Sequence, residues 1–138
     1  MSLKILLVED NLLNQELARD LLEAAGHVVD LAVDGAGVRK VAGEKAAAPD
    51  IVLMDVLLPG ADGVTLLGEL RAVDRFAGVP IIAVTAQALA GDMQRFVAAG
   101  FDAVLTKPID TRTFVADVER YAVSRGKGEG NGEASDRR

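Results

Sequence analysis

Five short apolar runs, each closed by a polar or turn residue and each followed by a stretch of helical spacing, constrain this chain more than any other feature. Lys4-Ile5-Leu6-Leu7-Val8 is rich enough in branched residues for a buried strand, and Glu9-Asp10-Asn11 closes it. Leu17, Ala18, Leu21, Leu22 and Ala25 follow at helical spacing, and Gly26 stops that helix. Val28 to Ala32 reads as a second strand, Asp34-Gly35 as a turn, and Ala36 to Ala48 as a helix weakened by Gly37 and Gly43. Ile51 to Met54 is a third buried strand, closed by Asp55. Dense turn chemistry over Pro59 to Gly63 leads into a helix marked by Leu66, Leu67 and Leu70. Ile81 to Val84, closed by Thr85, is the fourth strand, and Met93, Phe96 and Val97 mark the helix that Gly100 ends. Ala103 to Thr106, closed by Lys107-Pro108, is the fifth. The last helix is expected from an N-cap at Asp110, burying Phe114, Val115, Val118, Tyr121 and Ala122.

Strands that alternate with helices in this way form a parallel sheet covered on both faces, an α/β doubly wound fold of five strands and five helices. Both common doubly wound strand orders satisfy the pattern. A chain of 138 residues, half of them hydrophobic, is enough for one such domain. Residues 1–125 are expected to form it. The segment 126–138 has almost no apolar residue and no periodicity, and is expected to be a disordered tail.

Charge and composition narrow the partners. The net charge is −6, and four basic against three acidic residues from Arg125 onward leave that stretch at +1 and residues 1–124 at −7. Such a body repels nucleic acid and anionic membrane, so proteins and cations are the expected partners. With no cysteine there is no disulfide and no cysteine-ligated zinc. No run approaches the ~20 apolar residues of a membrane span, and the N-terminus does not resemble a signal peptide. The expected location is the cytoplasm.

In open parallel sheets, ligands bind beyond the carboxyl ends of the strands. At those ends stand Glu9 and Asp10, Asp55, Thr85, and Lys107 followed by Pro108. Each alone has an ordinary reading: helix-start acids, a strand-end carboxylate, a strand-forming threonine, a solvated lysine. Together they place three carboxylates and one ammonium at one end of one sheet. That excess of negative charge calls for a divalent cation, and hard oxygen donors without His or Cys point to Mg²⁺ rather than zinc.

The blocks Val8-Glu9-Asp10-Asn11, Leu53-Met54-Asp55-Val56, Leu58-Pro59 with Asp62-Gly63, Val84-Thr85-Ala86 and Thr106-Lys107-Pro108-Ile109 closely resemble the motifs of bacterial response-regulator receivers. The resemblance runs from about Leu3 to Ser124, five blocks in order at matching spacing. The run Glu9 to Asn14 and the pair Gly91-Asp92 resemble DivK-like single-domain regulators and the receivers attached to hybrid histidine kinases. The resemblance implies the flavodoxin-like strand order 2-1-3-4-5. It implies that Asp55 is the phosphoacceptor, attacking a phosphohistidine on a histidine kinase or histidine phosphotransfer protein. Glu9, Asp10, Asp55 and the backbone carbonyl of Val56 would hold Mg²⁺. The Thr85 hydroxyl and the Lys107 ammonium would meet the phosphoryl oxygens, with a cis peptide between Lys107 and Pro108. Output would be a change of surface read by a downstream protein.

An Asp nucleophile with Mg²⁺ and Lys also suits phosphatases of the haloacid-dehalogenase type, but these want a second Asp two residues on, where this chain has Leu57. The chain is therefore expected to be a signalling phosphoacceptor and not a turnover enzyme. The family resemblance makes Leu57 and Gln87 gates on the attacking water. It also shows a departure: Val104 stands where receivers commonly carry Tyr or Phe, and Phe101 lies three residues earlier. No phosphate-loop motif of the form G-x-x-x-x-G-K-S/T is present. His27, the single histidine, is expected to be a solvent-facing loop residue that does not donate phosphate.

Overall fold

The computed structural model describes residues 1–44, 47–58, 60–86 and 90–128. The main sheet has five parallel strands: β1 (Lys4–Val8), β2 (Val28–Ala32), β3 (Ile51–Asp55), β4 (Ile81–Thr85) and β5 (Ala103–Thr106). Helices α1 (Leu12–Ala24), α2 (Gly35–Gly43), α3 (Gly63–Arg71), α4 (Ala90–Ala99) and α5 (Phe114–Gly128) alternate with them. The strands lie in the order β2-β1-β3-β4-β5. This is the flavodoxin-like order. The chain reverses direction of winding beside β1 and β3, which opens a crevice at the carboxyl ends of those two strands.

The central strands are apolar on both faces because both faces are covered. Side chains alternate along a strand. Leu6, Val8, Val52, Met54, Ile81 and Ala83 pack with Val38, Leu66, Leu67, Leu70 and Phe96, which α2, α3 and α4 supply. Ile5, Leu7, Ile51, Leu53, Ile82 and Val84 face the other way, onto Ala18 and Leu22 of α1 and Phe114 and Val118 of α5. The registers Leu7↔Leu53, Val8↔Met54 and Asp55↔Val84 bring the ends of β1, β3 and β4 level. Polar residues just past the apolar runs therefore collect at one edge. Among the described residues, no helix is long and apolar enough to cross a membrane.

Local chemistry starts and stops the helices. The Asn11 side chain accepts from the Asn14 N–H, Asp34 from Gly37 and Asp62 from Thr65, each capping a helix start. Gly26 and Gly100 follow α1 and α4 at φ +95° and +120°, where a side chain would be strained.

Several boundaries differ from expectation. Helix α2 stops at Gly43, with Glu44 extended, instead of reaching Ala48; the three glycines in its short span, Gly35, Gly37 and Gly43, lower its propensity enough to end it early. The assigned start of α5 is Phe114, although the Asp110 carbonyl accepts the Phe114 N–H and its carboxylate accepts the Arg112 N–H. Asp110 thus organises the turn before the helix. At its other end α5 runs to Gly128, past the expected boundary at 125; adding residues to an existing helix costs far less than nucleating one. Residues 129–138 lie outside the described residues. Two small elements had no counterpart in the sequence reading: a 3₁₀ turn at Asp74–Phe76 and an antiparallel pair of Leu57–Leu58 with Ala61–Asp62.

His27 is a correction. It is 4% exposed, not solvent-facing. The residue turns inward because both ring nitrogens find partners there. The Leu3 N–H donates to Nδ1 at 3.0 Å, and Nε2 lies 2.7 Å from Glu119 Oε2 on α5. An accepting Nδ1 leaves the proton on Nε2, which donates to the carboxylate.

Candidate functional site

Asp55 is the last residue of β3 and is 6% exposed. Its Oδ1 accepts the Leu57 N–H at 2.9 Å, and its Oδ2 accepts from Lys107 Nζ at 2.8 Å. Lys107 follows β5, and its N–H donates to the Thr85 carbonyl at 2.8 Å, which ties the base of the lysine to the end of β4. The Lys107–Pro108 peptide is cis. The Lys107 ammonium also meets Glu9 Oε1 at 2.9 Å. Burial pulls the lysine pKa down. Its hydrogen bonds to Asp55 and Glu9, with their charges, outweigh that effect and hold it above the ordinary value.

Glu9, just past β1, is 4% exposed and held at several points. Its N–H donates to Ala32 O at 3.0 Å, its Oε2 accepts the Asn11 N–H at 3.0 Å, and its carbonyl accepts from Gln15 Nε2 at 2.9 Å. Asp10 is exposed. Carboxylate oxygens of Glu9, Asp10 and Asp55 all lie within 4.8 Å of one another. Thr85 is 1% exposed at the end of β4, one residue past the partner of Asp55. The residues expected from the strand ends are thus brought together. Val56, also expected, is adjacent, and its carbonyl accepts the Gly63 N–H at 2.9 Å; a carbonyl keeps a second lone pair for another partner.

Chemically the arrangement offers one ammonium shared by two carboxylates, Asp55 and Glu9, with the Asp10 carboxylate beside them. All donors to a cation are hard oxygens, which fits Mg²⁺ and excludes the donor types that zinc prefers. Leu57 is 59% exposed beside Asp55. Gln87, the other expected gate, lies outside the described residues.

Sequence reasoning missed Gln15 and gave Gly63 no part beyond the turn and the family motif. Gln15 is 7% exposed on the buried stripe of α1 that Ala18 and Leu22 continue; a polar residue at an apolar position of the stripe was the available signal. At Gly63 an added Cβ would lie 2.7 Å from Val56 Cα. Its Asp-Gly context was legible, its close approach to the residue after Asp55 was not.

This fold is that of receiver domains, and the comparisons with known proteins agree. Residues 5–119 match the response regulator receiver domain family, and the chain belongs to it. It is 37% identical over 117 residues to the polar-differentiation response regulator DivK of Brucella anthropi, covering 85% of this chain and 94% of that protein. It is also similar to the receiver domain of a sensor histidine kinase of Pseudomonas aeruginosa. That likeness has 36% identity and a TM-score of 0.77, and covers 89% of this chain and 99% of the other. The Pseudomonas structure has a magnesium ion coordinated in its active-site cleft. The chemotaxis response regulator CheY4 of Vibrio cholerae superposes with a TM-score of 0.79 at 25% identity, over 88% of this chain and 99% of that one.

Proposed function

We propose that this receiver takes a phosphoryl group onto Asp55 from a phosphohistidine of a histidine kinase or histidine phosphotransfer protein in the cytoplasm, and that the modified domain is then read by a downstream protein. The observation that carries this reading is the Asp55 carboxylate, oriented by the Leu57 N–H and Lys107 at a cluster with Glu9 and Asp10. An Asp55 oxygen attacks phosphorus as the P–N bond to the donor imidazole breaks, and the electron pair of that bond leaves with the imidazole. Phosphoryl transfer asks the protein mainly for in-line positioning and for neutralisation of the equatorial oxygens. Lys107 supplies positive charge at the site, and the Thr85 hydroxyl is a donor to a phosphoryl oxygen. Glu9, Asp10, Asp55 and the Val56 carbonyl would hold Mg²⁺. When bound, the ion offsets the negative charge that attacking carboxylate and phosphoryl group bring together.

Exposed leucines on α1 give a partner something to grip: Leu12 and Leu13 are 64% and 75% exposed. An acidic body leaves protein, not nucleic acid, as the expected downstream reader. The proposal is tested by phosphotransfer profiling against the histidine kinases and phosphotransfer proteins of the source organism. One or a few donors should lose label rapidly to this chain and not to its Asp55→Asn variant. Uniformly slow transfer from every donor, or transfer to both forms alike, would overturn the reading.

A further inference from the structure

We propose that Gln15 is a positioning residue for the cation site: its buried amide fixes the Glu9–Asp10 peptide and so aims the Asp10 carboxylate. This rests on the reading of Glu9, Asp10 and Asp55 as the holders of Mg²⁺.

The two acids of the pair are held very differently. Glu9 is buried and anchored through its N–H to Ala32 and through its carboxylate to Asn11 and Lys107. Asp10 is exposed, and among the described residues no hydrogen bond or ion pair holds its carboxylate. Its direction is set by the backbone that carries it. The peptide between Glu9 and Asp10 is a rigid plane containing the Glu9 carbonyl and the Asp10 N–H. The side chain that grips this plane is Gln15, whose Nε2 donates to the Glu9 carbonyl at 2.9 Å in a buried setting. Gln15 itself is fixed, because its N–H donates to the Asn11 carbonyl at 2.9 Å in the first turn of α1.

A space-filling role explains Gln15 poorly. The same stripe carries Ala18 and Leu22 at 1% and 0% exposure, so an apolar residue would pack there. Burying an amide costs stability unless it is hydrogen-bonded, and here the bond goes to the carbonyl of the peptide that joins both acids. Groups that orient metal ligands without touching the metal change metal affinity about 10- to 100-fold when removed.

The test is a Mg²⁺ titration of the full chain, followed by calorimetry and by the amide resonances of Asp10, Asn11 and Val56. Gln15→Met keeps length and volume but removes the donor, and Gln15→Asn keeps the amide but falls a methylene short. Leu22→Val, which loosens α1 on the same stripe, controls for packing. Both Gln15 variants should bind Mg²⁺ about tenfold more weakly, while Leu22→Val binds as the wild type does. Should one Gln15 variant fail to fold, the other carries the test. Affinity within twofold of wild type in a folded Gln15 variant would overturn the proposal and leave the cation site standing, and so would equal weakening by Leu22→Val. Absence of Mg²⁺ binding by the wild type would overturn the cation site itself, and this proposal with it.

Discussion

Lys107 stands between two carboxylates, 2.8 Å from Asp55 and 2.9 Å from Glu9. Burial lowers its pKa, but those partners raise it further, and the net shift is upward from about 10.5. A lysine held above its unfolded value contributes stability that is complete below the unfolded pKa and is lost as pH rises through the folded one. Lys107→Met should therefore destabilise the metal-free domain. In denaturant melts the gap between wild type and variant should be constant from neutral pH to about pH 10 and close above it; a gap that widens as pH rises above neutral would contradict the pairing. Leu57 poses a kinetic question at the same scale. Its N–H donates to Asp55 Oδ1, and its side chain is 59% exposed beside the carboxylate. A leucine cannot hydrogen-bond and orient an attacking water, so the acyl phosphate should be long-lived. Leu57→Asn supplies an amide that can, and should shorten the phosphoryl lifetime about tenfold, equivalent to ~1.4 kcal/mol of barrier. An unchanged or longer lifetime, followed by loss of label, would show that Leu57 is no gate.

At the scale of elements, the start of α3 approaches the end of β3 closely. The first residue of α3, Gly63, passes so close to the strand end that an added Cβ would sit 2.7 Å from Val56 Cα and 3.3 Å from Asp55 O. Those neighbours are backbone and cannot rotate away. Gly63→Ala should cost about 1–3 kcal/mol by overpacking and, by pushing on Val56, slow phosphorylation of the adjacent Asp55. Stability within about ±0.5 kcal/mol of wild type together with an unchanged rate would show that the junction yields freely. This contact also marks where sequence reading stops. The strands were legible because apolar runs closed by Glu9, Asp55, Thr85 and Lys107 have no other economical packing than a covered parallel sheet, and the residues at their ends follow from it. The strand order was not, since the alternation permits two windings; the family motifs decided it. Helix ends set by marginal propensity, such as Gly43 and Gly128, and the inward turn of His27 depend on partners distant in the chain. Glu119 lies 92 residues from His27, and no local pattern announces that pair.

For the whole molecule, the proposed function requires that a phosphoryl group on Asp55 change a surface that another protein reads. A ligand shifts a population only through a difference in its interaction with two states. Where receivers commonly carry Tyr or Phe this chain has Val104, which is half-buried and packs against the core on the side of α2, α3 and α4. Phe101 is no substitute: it is 2% exposed and locked edge-on to Phe96, with ring centroids 6.1 Å apart. Valine has one stiff torsion and cannot swing between solvent and interior. Phosphorylation should therefore move the end of β4, at Thr85 and Ala86, more than the face around Val104, as read from backbone chemical shifts with and without beryllofluoride. Large, comparable shifts across α4, β5 and α5 would show that another group carries the switch. All of this presupposes that Asp55 is the phosphoacceptor, and intact-mass spectrometry after incubation with acetyl phosphate and Mg²⁺ tests that most directly. The wild type should gain a single labile phosphoryl group, EDTA should prevent the gain, and Asp55→Asn should show none; equal labelling of wild type and Asp55→Asn would contradict it.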